Sequence, residues 1–307
     1  MTKKRNDITV GPWAKEKLDS LDRYLNYYTT RLKNQTWCRG TFFIDAFAGP
    51  GVSPVRDSQS EVRVGGDTPD LFGPRSEDPR QAETEFVRRS PRVALGLKNR
   101  FSDYIFIERD PDRLAALREL QHEPDFAGLR IEVLDGDANV ELVQFLSRPV
   151  DWRTHRGVVF LDPFGMQVPW TTIEAIAKTR GLEVLINFPF GMAINRLLTV
   201  SGDIPRSWEH RLDTAFGSPE WRDLVYETAN DLAGTRKVKR ADAAERVLGW
   251  FSERLRTAFG HASSAQLIKN TKGNPLYYLI WAGPHAAGLE GANYILGLKH
   301  KAKRQKK

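Results

Sequence analysis

The chain has 307 residues, 40% of them hydrophobic, a formal net charge of +7 and a single cysteine, Cys38. That length leaves ample room for a large buried core, and one cysteine excludes a disulfide framework or a cysteine-based zinc cluster. No apolar run reaches the ~20 residues that span a bilayer, and Met1-Thr-Lys-Lys-Arg-Asn-Asp7 lacks the hydrophobic stretch of a signal peptide, so a soluble protein of a reducing cytoplasm is expected.

The six histidines, at 122, 155, 210, 261, 285 and 300, show no His-x-x-x-His spacing, and no metal is expected. Lys299, Lys301, Lys303, Arg304, Lys306 and Lys307 supply six of the positive charges, which leaves residues 1–298 close to neutral. A basic tail of this kind either attracts phosphate backbones through counterion release or stays solvated. Arg236, Lys237, Lys239 and Arg240 form a second basic cluster.

In chain order, residues 13–33 read as an amphipathic helix with Leu18, Leu21, Leu25 and Tyr28 on one face. Thr41-Phe-Phe-Ile-Asp-Ala-Phe-Ala-Gly-Pro-Gly51 reads as a buried strand running into a tight glycine turn, and such turns at strand ends are where open α/β sheets bind ligands. Gly49 and Gly51 admit close backbone approach to a ligand. No Lys-Ser or Lys-Thr follows Gly51, and Pro54 stands where a dinucleotide fingerprint has its third glycine. With no basic residue between Asp45 and Val55, a ligand without phosphates fits better, and S-adenosylmethionine is one. An ordinary strand-to-helix turn is the competing reading. Residues 52–89 are poor in apolar side chains and rich in Gly, Pro, Ser and charge, which suits a lid over the ligand or a passive loop.

Asp103-Tyr-Ile-Phe-Ile-Glu108 is a second apolar strand, and Asp110-Pro111 then opens a helix with Leu114, Leu117 and Leu120 at helical spacing. Glu108 at the strand's end can accept hydrogen bonds from a ribose diol. With 52–89 set aside it lies about 20 residues after the glycine turn, where such an acid is expected. Leu129 to Leu134 forms a third strand and leads into Asp135-Gly-Asp-Ala-Asn139. Asp137 there either accepts from an adenine amine or caps the following helix. Gly157 to Leu161 runs into Asp162-Pro-Phe-Gly165, and Leu182 to Asn187 is followed by Phe188-Pro-Phe190. Asp162 and the Pro163 carbonyl could accept from an exocyclic amine with Phe164 stacked on a flipped base. Alternatively Pro163 and Gly165 break the strand and Phe164 packs inward. Residues 190–260 read as helical, with Trp208, Trp221 and Trp250 as sites of partner or substrate selectivity or as core anchors. Residues 265–269 and 276–282 can supply a closing strand pair.

These residues resemble families of known type. Asp45-Ala-Phe-Ala-Gly-Pro-Gly51, Glu108, Asp137 and Asp162-Pro-Phe-Gly165 together resemble a class I S-adenosylmethionine-dependent methyltransferase. More narrowly, Phe47-Ala-Gly-Pro-Gly51, Ser90-Pro-Arg-Val-Ala-Leu95, Gly136-Asp-Ala-Asn139, Leu161-Asp-Pro-Phe-Gly165 and Asn187-Phe-Pro189 resemble the three-Cys-motif partner protein (TcmP) family. The likeness runs from about Trp13 to near residue 283, with 52–89 longer than that family's usual loop. Asp162-Pro-Phe-Gly165 also resembles the turn of tRNA guanine dimethyltransferases.

The resemblance implies one α/β domain over residues 1–307. Its core is a doubly wound, mostly parallel seven-stranded sheet with an antiparallel closing strand, a Rossmann-like methyltransferase in three α/β/α layers. It implies that Asp45, Phe47, Ala48, Gly49, Pro50, Gly51, Glu108, Asp137 and Ala138 surround S-adenosyl-L-methionine. Asp162, Pro163, Phe164 and Asn187 face the acceptor, expected to be an exocyclic base amine of RNA or DNA. It also implies a partner protein carrying a three-cysteine motif. The alternative is a methyltransferase-shaped interaction module without catalysis. A nicotinamide oxidoreductase is disfavoured by Pro54.

Overall fold

Five apolar runs become the parallel strands of a sheet in the computed structural model: β1 (Gly40–Asp45), β2 (Asp103–Glu108), β3 (Arg130–Asp135), β4 (His155–Leu161) and β5 (Leu182–Phe188). The structure describes residues 12–48, 90–163, 165–231, 234–270 and 272–304. The expected ligand residues Gly49, Pro50 and Gly51, the insertion 52–89 and Phe164 lie outside them.

The strands lie in the order β3-β2-β1-β4-β5, so the direction of winding reverses between β1 and β4. Next to β5, β10 (Pro275–Gly283) runs antiparallel and pairs Leu279 with Asn187. On its outer side β10 carries β8 (His261–Ala262) and β9 (Gln266–Lys269), both antiparallel to it. The doubly wound, mostly parallel sheet with one reversed strand is the Rossmann-like, methyltransferase-type architecture expected from the sequence. One detail differs: the seventh strand is broken in two. Ser263 bridges the break by bonding both backbone groups of Trp281, giving its N–H to the carbonyl at 2.9 Å and accepting the Trp281 N–H on its side-chain oxygen at 3.1 Å.

Alternation of side chains along each strand supplies two apolar faces. Phe42, Ile44, Ile105, Val159, Leu161, Val184 and Ile186 form one. It is covered by α4 (Ala138–Leu146), α5 (Trp170–Lys178), α6 (Arg206–Phe216), α7 (Trp221–Val225) and α8 (Ala243–Phe259). Phe43, Tyr104, Phe106, Val158, Phe160, Leu185 and Trp281 form the other. There α1 (Pro12–Leu32), α2 (Ser90–Leu95), α3 (Pro111–Gln121) and α9 (Ala286–Arg304) pack. Central β5 is buried along its whole length, as a parallel strand covered on both faces must be.

Local chemistry sets the helix ends. Asp110 caps α3, its Oδ1 accepting from Arg113 N at 3.1 Å, with Pro111 in the first turn. Gly217 ends α6 at φ 63°, and a Cβ there would stand 2.5 Å from the Cβ of Trp170, so close helix packing and the left-handed turn both require glycine. Trp221 is fully buried and donates from Nε1 to Asp213 at 2.8 Å, which makes it a core anchor. The expectation of a purely helical stretch at 190–260 is corrected by an antiparallel hairpin, β6 (Tyr226–Asp231) with β7 (Gly234–Lys239). Its Tyr, Thr and Val residues fit a pleated surface better than a helix. No helix among the described residues is long and apolar enough to cross a membrane.

Candidate functional site

The carboxyl ends of the parallel strands bring the expected acidic residues to one edge of the sheet. Register explains the grouping: Asp45 pairs with Phe160 of β4 on one side and with Phe106 of β2 on the other. Asp162 and Glu108 therefore follow two residues beyond those neighbours of β4 and β2. The backbone after β1 is tied across this point, Ala46 N donating to Phe160 O at 3.2 Å and Ala48 N to Ile107 O at 3.0 Å. Ala48 is fully buried, and Phe47 packs against the apolar layer beneath.

Asp45 is wholly buried. Ser90, the first residue of α2, donates to its Oδ2 at 2.8 Å, and Phe47 N donates to its Oδ1 at 3.2 Å. Burial pushes the Asp45 carboxyl up to about 7; the Ser90 hydrogen bond opposes this, and the charges of Asp162 and Glu108 add to it. Glu108 is held by its own turn: Oε1 accepts from Arg109 N and Asp110 N, both at 2.8 Å. Its Oε2 has Arg113 at 3.8 Å, a long contact that leaves room for a diol. Asp137 is exposed and caps α4 through Oδ1, which accepts from Asn139 N at 2.9 Å and Val140 N at 3.3 Å. The capping reading of Asp137 is thus realised, and Oδ2 is not used by the cap. Ala138 follows as the first residue of α4.

The acceptor side differs from its expected form. Asp162 and Asn187 do come together, Asn187 Nδ2 donating to Asp162 Oδ1 at 2.7 Å. Both Asp162 oxygens are, however, also engaged by Lys17 of α1, whose Nζ lies 2.7 Å from each. This ion pair is buried, with side-chain exposures of 2% and 6%. The Tyr277 ring lies 4.8 Å from the same ammonium. An acceptor amine at Asp162 must therefore displace or share with Lys17. Asn187 Oδ1 is left buried without a hydrogen-bond partner, an orphan acceptor of the kind that asks for an explanation. Beside it, Pro163, Gly165, Asn187 and Pro189 line a hollow of ≈40 Å³, far below the ~300 Å³ at which small-ligand pockets begin.

Sequence reasoning missed Lys17, and it named Ser90 only within the Ser90–Leu95 stretch, without a role at the site. Lys17 did carry a signal: positions 17, 21, 24 and 28 fall on one helical stripe, and the other three are Leu21, Tyr24 and Tyr28, all buried. A lysine at a core position of an amphipathic helix needs a carboxylate to meet it.

These residues could hold a ligand by carboxylate acceptors and backbone approach. None of the acids is placed to cradle a phosphate, and the set suits a diol and amines.

No family model matches the chain, and no curated protein matches it. Among solved structures it is similar to LPL1258 from Legionella pneumophila str. Philadelphia 1, of family DUF519, at 16% identity over 87% of this chain and 97% of that one, with a TM-score of 0.38. It is also similar to the putative methyltransferase yhhF from Escherichia coli, at 14% identity over 71% of this chain and 85% of that one, with a TM-score of 0.27. The fold rests on the chain's own strand order and register.

Proposed function

We propose that this chain is an S-adenosylmethionine-dependent methyltransferase acting on an exocyclic base amine of RNA or DNA, working in the cytoplasm with a partner protein that carries a three-cysteine motif. One observation carries the reading: Asp45, Glu108, Asp137 and Asp162 stand at or just beyond the carboxyl ends of four adjacent parallel strands, astride the point where the winding reverses. That is where an open sheet receives a nucleoside-like ligand. Bound there, S-adenosyl-L-methionine would supply an electrophilic methyl group.

The chain's own residues would do the remaining work. Glu108 receives the ribose hydroxyls on Oε2, since its Oε1 is already fixed by two backbone donors. Asp137 offers its second oxygen to the adenine amine while the first holds α4 in place. Asp45, its carboxyl pushed up to about 7 by burial, and Ser90 shape the turn that carries Phe47 and Ala48. Asp162, the Pro163 carbonyl and Asn187 orient the acceptor nitrogen, with Phe164 stacking on its ring. Lys17, bonded to both Asp162 oxygens, holds that carboxylate aimed before the acceptor arrives. Positioning then matters more than acid–base strength.

The alternative is a methyltransferase-shaped module that only binds its partner. The Lys17–Asp162 ion pair and the ≈40 Å³ hollow favour it, because they close the acceptor side. Calorimetry with S-adenosylmethionine and S-adenosylhomocysteine separates the two. Micromolar binding that is lost in Glu108→Ala and weakened in Asp137→Ala supports the enzyme. Absence of binding by folded protein, with and without a three-cysteine partner, removes it and leaves the module.

A further inference from the structure

On the α5 and α8 side of the sheet, away from the carboxylate edge, a cavity of ≈480 Å³ opens between these two helices. That volume lies within the ~300–1,000 Å³ range of small-molecule sites. Its floor is formed by Trp170, Ala177 and Ala258, and three cations line it, Lys178, Arg180 and Arg254. The single acid in the lining is Glu174, and its Oε1 already accepts from Trp170 Nε1 at 2.8 Å. The site therefore carries an excess of positive charge.

Two further observations point to a ligand. Arg254 lies over Trp170 at 4.3 Å and over Trp250 at 5.0 Å, and its Nε is buried without an acceptor. Glu174 and Glu220 act on it only at a distance, and among the described residues it forms no ion pair. Held against two indole faces, this half-buried arginine has a desolvated Nε with no acceptor. Arg180 has φ 56°, the one positive value at a non-glycine among the described residues. It ends α5 where a helix ordinarily places glycine. The next residue, Gly181, is needed for a different reason: a Cβ there would meet Trp152 O at 2.7 Å. A strained arginine that opens onto a cavity is the pattern of a position held for its side chain.

We infer that this cavity binds a phosphomonoester carried on a small apolar body. A phosphomonoester bears about −1.5 to −2 charge at neutral pH, which balances three cations against one carboxylate. Arginine's planar fork matches phosphate oxygens, and the apolar floor receives the organic part.

The test is calorimetry on the full chain with phenyl phosphate, phenol and inorganic phosphate, none of which resembles adenosine, so the result is independent of the methyltransferase reading. Phenyl phosphate is expected to bind and phenol not to. Lys178→Gln and Arg254→Met are each expected to weaken binding about tenfold, the worth of one charge-assisted contact. Arg180→Gly is expected to weaken binding while raising the thermal midpoint, a combination that a merely structural arginine would not give. A 5′-phosphorylated tetranucleotide that binds as well as phenyl phosphate assigns the phosphate to a nucleic-acid end; one that fails assigns it to a small metabolite. Phenyl phosphate binding no better than phenol, or unchanged in Lys178→Gln, overturns the inference. Lys178 is exposed, so that variant decides the matter even if Arg254→Met does not fold.

Discussion

Two carboxylates are buried at opposite edges of the same sheet, and helix α1 reaches both. At the carboxyl edge Asp162 meets the Lys17 ammonium at 2.7 Å. At the amino edge Glu183, one residue into β5, meets only neutral donors: the Tyr24 hydroxyl, in a short hydrogen bond, and Trp281 Nε1 at 3.2 Å. Lys17 and Tyr24 are two helical turns apart on one stripe, so a single helix face is pinned at both ends. Burial pushes Glu183 up to about 7 despite the opposing hydrogen bonds from Tyr24 and Trp281 and the charge of Arg156. The edge with a cation holds its acid in an ion pair beside the candidate site, and the edge without one holds an acid pushed up by burial that serves packing.

The largest test of this contrast is Lys17→Met. It strands a buried aspartate, and breaking such a pair costs about 3–5 kcal/mol. Urea unfolding should show that loss, and Lys17→Met with Asp162→Leu should recover most of it, because the pair removed together leaves no lone charge. If Lys17→Met unfolds at the wild-type midpoint, the two acids are held alike and the contrast fails.

Second in size is the pH dependence. Asp45 and Glu183 both titrate in the folded protein near 7, above the ordinary carboxylate range. The folded chain therefore binds protons that the unfolded chain releases between pH ~4 and 7. Their contribution is complete below about pH 4 and is lost as pH rises through about 7. Asp45→Asn should remove a penalty of up to ~4 kcal/mol at pH 8, and Glu183→Gln one of up to ~3 kcal/mol. Unfolding midpoints at pH 5 and pH 8 should lie closer together in either variant than in the wild type.

Smallest is Tyr24→Phe. It removes one donor to Glu183 and should cost about 1–2 kcal/mol at pH 5, while leaving ligand binding at the carboxyl edge unchanged. A loss of that binding would show that α1 couples the two edges.

The parallel sheet was legible because β1, β2, β4 and β5 are continuous apolar runs that end in an acid or amide, and a strand buried on both faces has no other way to be written. Asp45, Glu108, Asp162 and Asn187 could be placed for the same reason. Lys17 was hidden because a charged residue in an amphipathic helix reads as solvent-facing unless its stripe is counted. Its partner lies 145 residues away, beyond the reach of any local pattern. The hairpin from Tyr226 to Lys239 was missed because helical spacing in its neighbours extended across it, although Gly234 and the Thr and Val residues around it mark a turn between strands. The break between β8 and β9 was not legible, because it depends on a serine hydroxyl replacing a backbone acceptor.

That break bears on how the sheet's border is presented to its surroundings. A long unbroken strand outside β10 would offer a straight row of free amide and carbonyl groups to any neighbouring chain. Ser263 interrupts the row, and Ser264 N is turned aside to the Asn293 side chain at 3.1 Å. At the opposite border β3 presents Arg130 and Glu132, held in ion pairs with Asp103 and Arg148. One border is kept from sheet-to-sheet aggregation by shape and the other by charge.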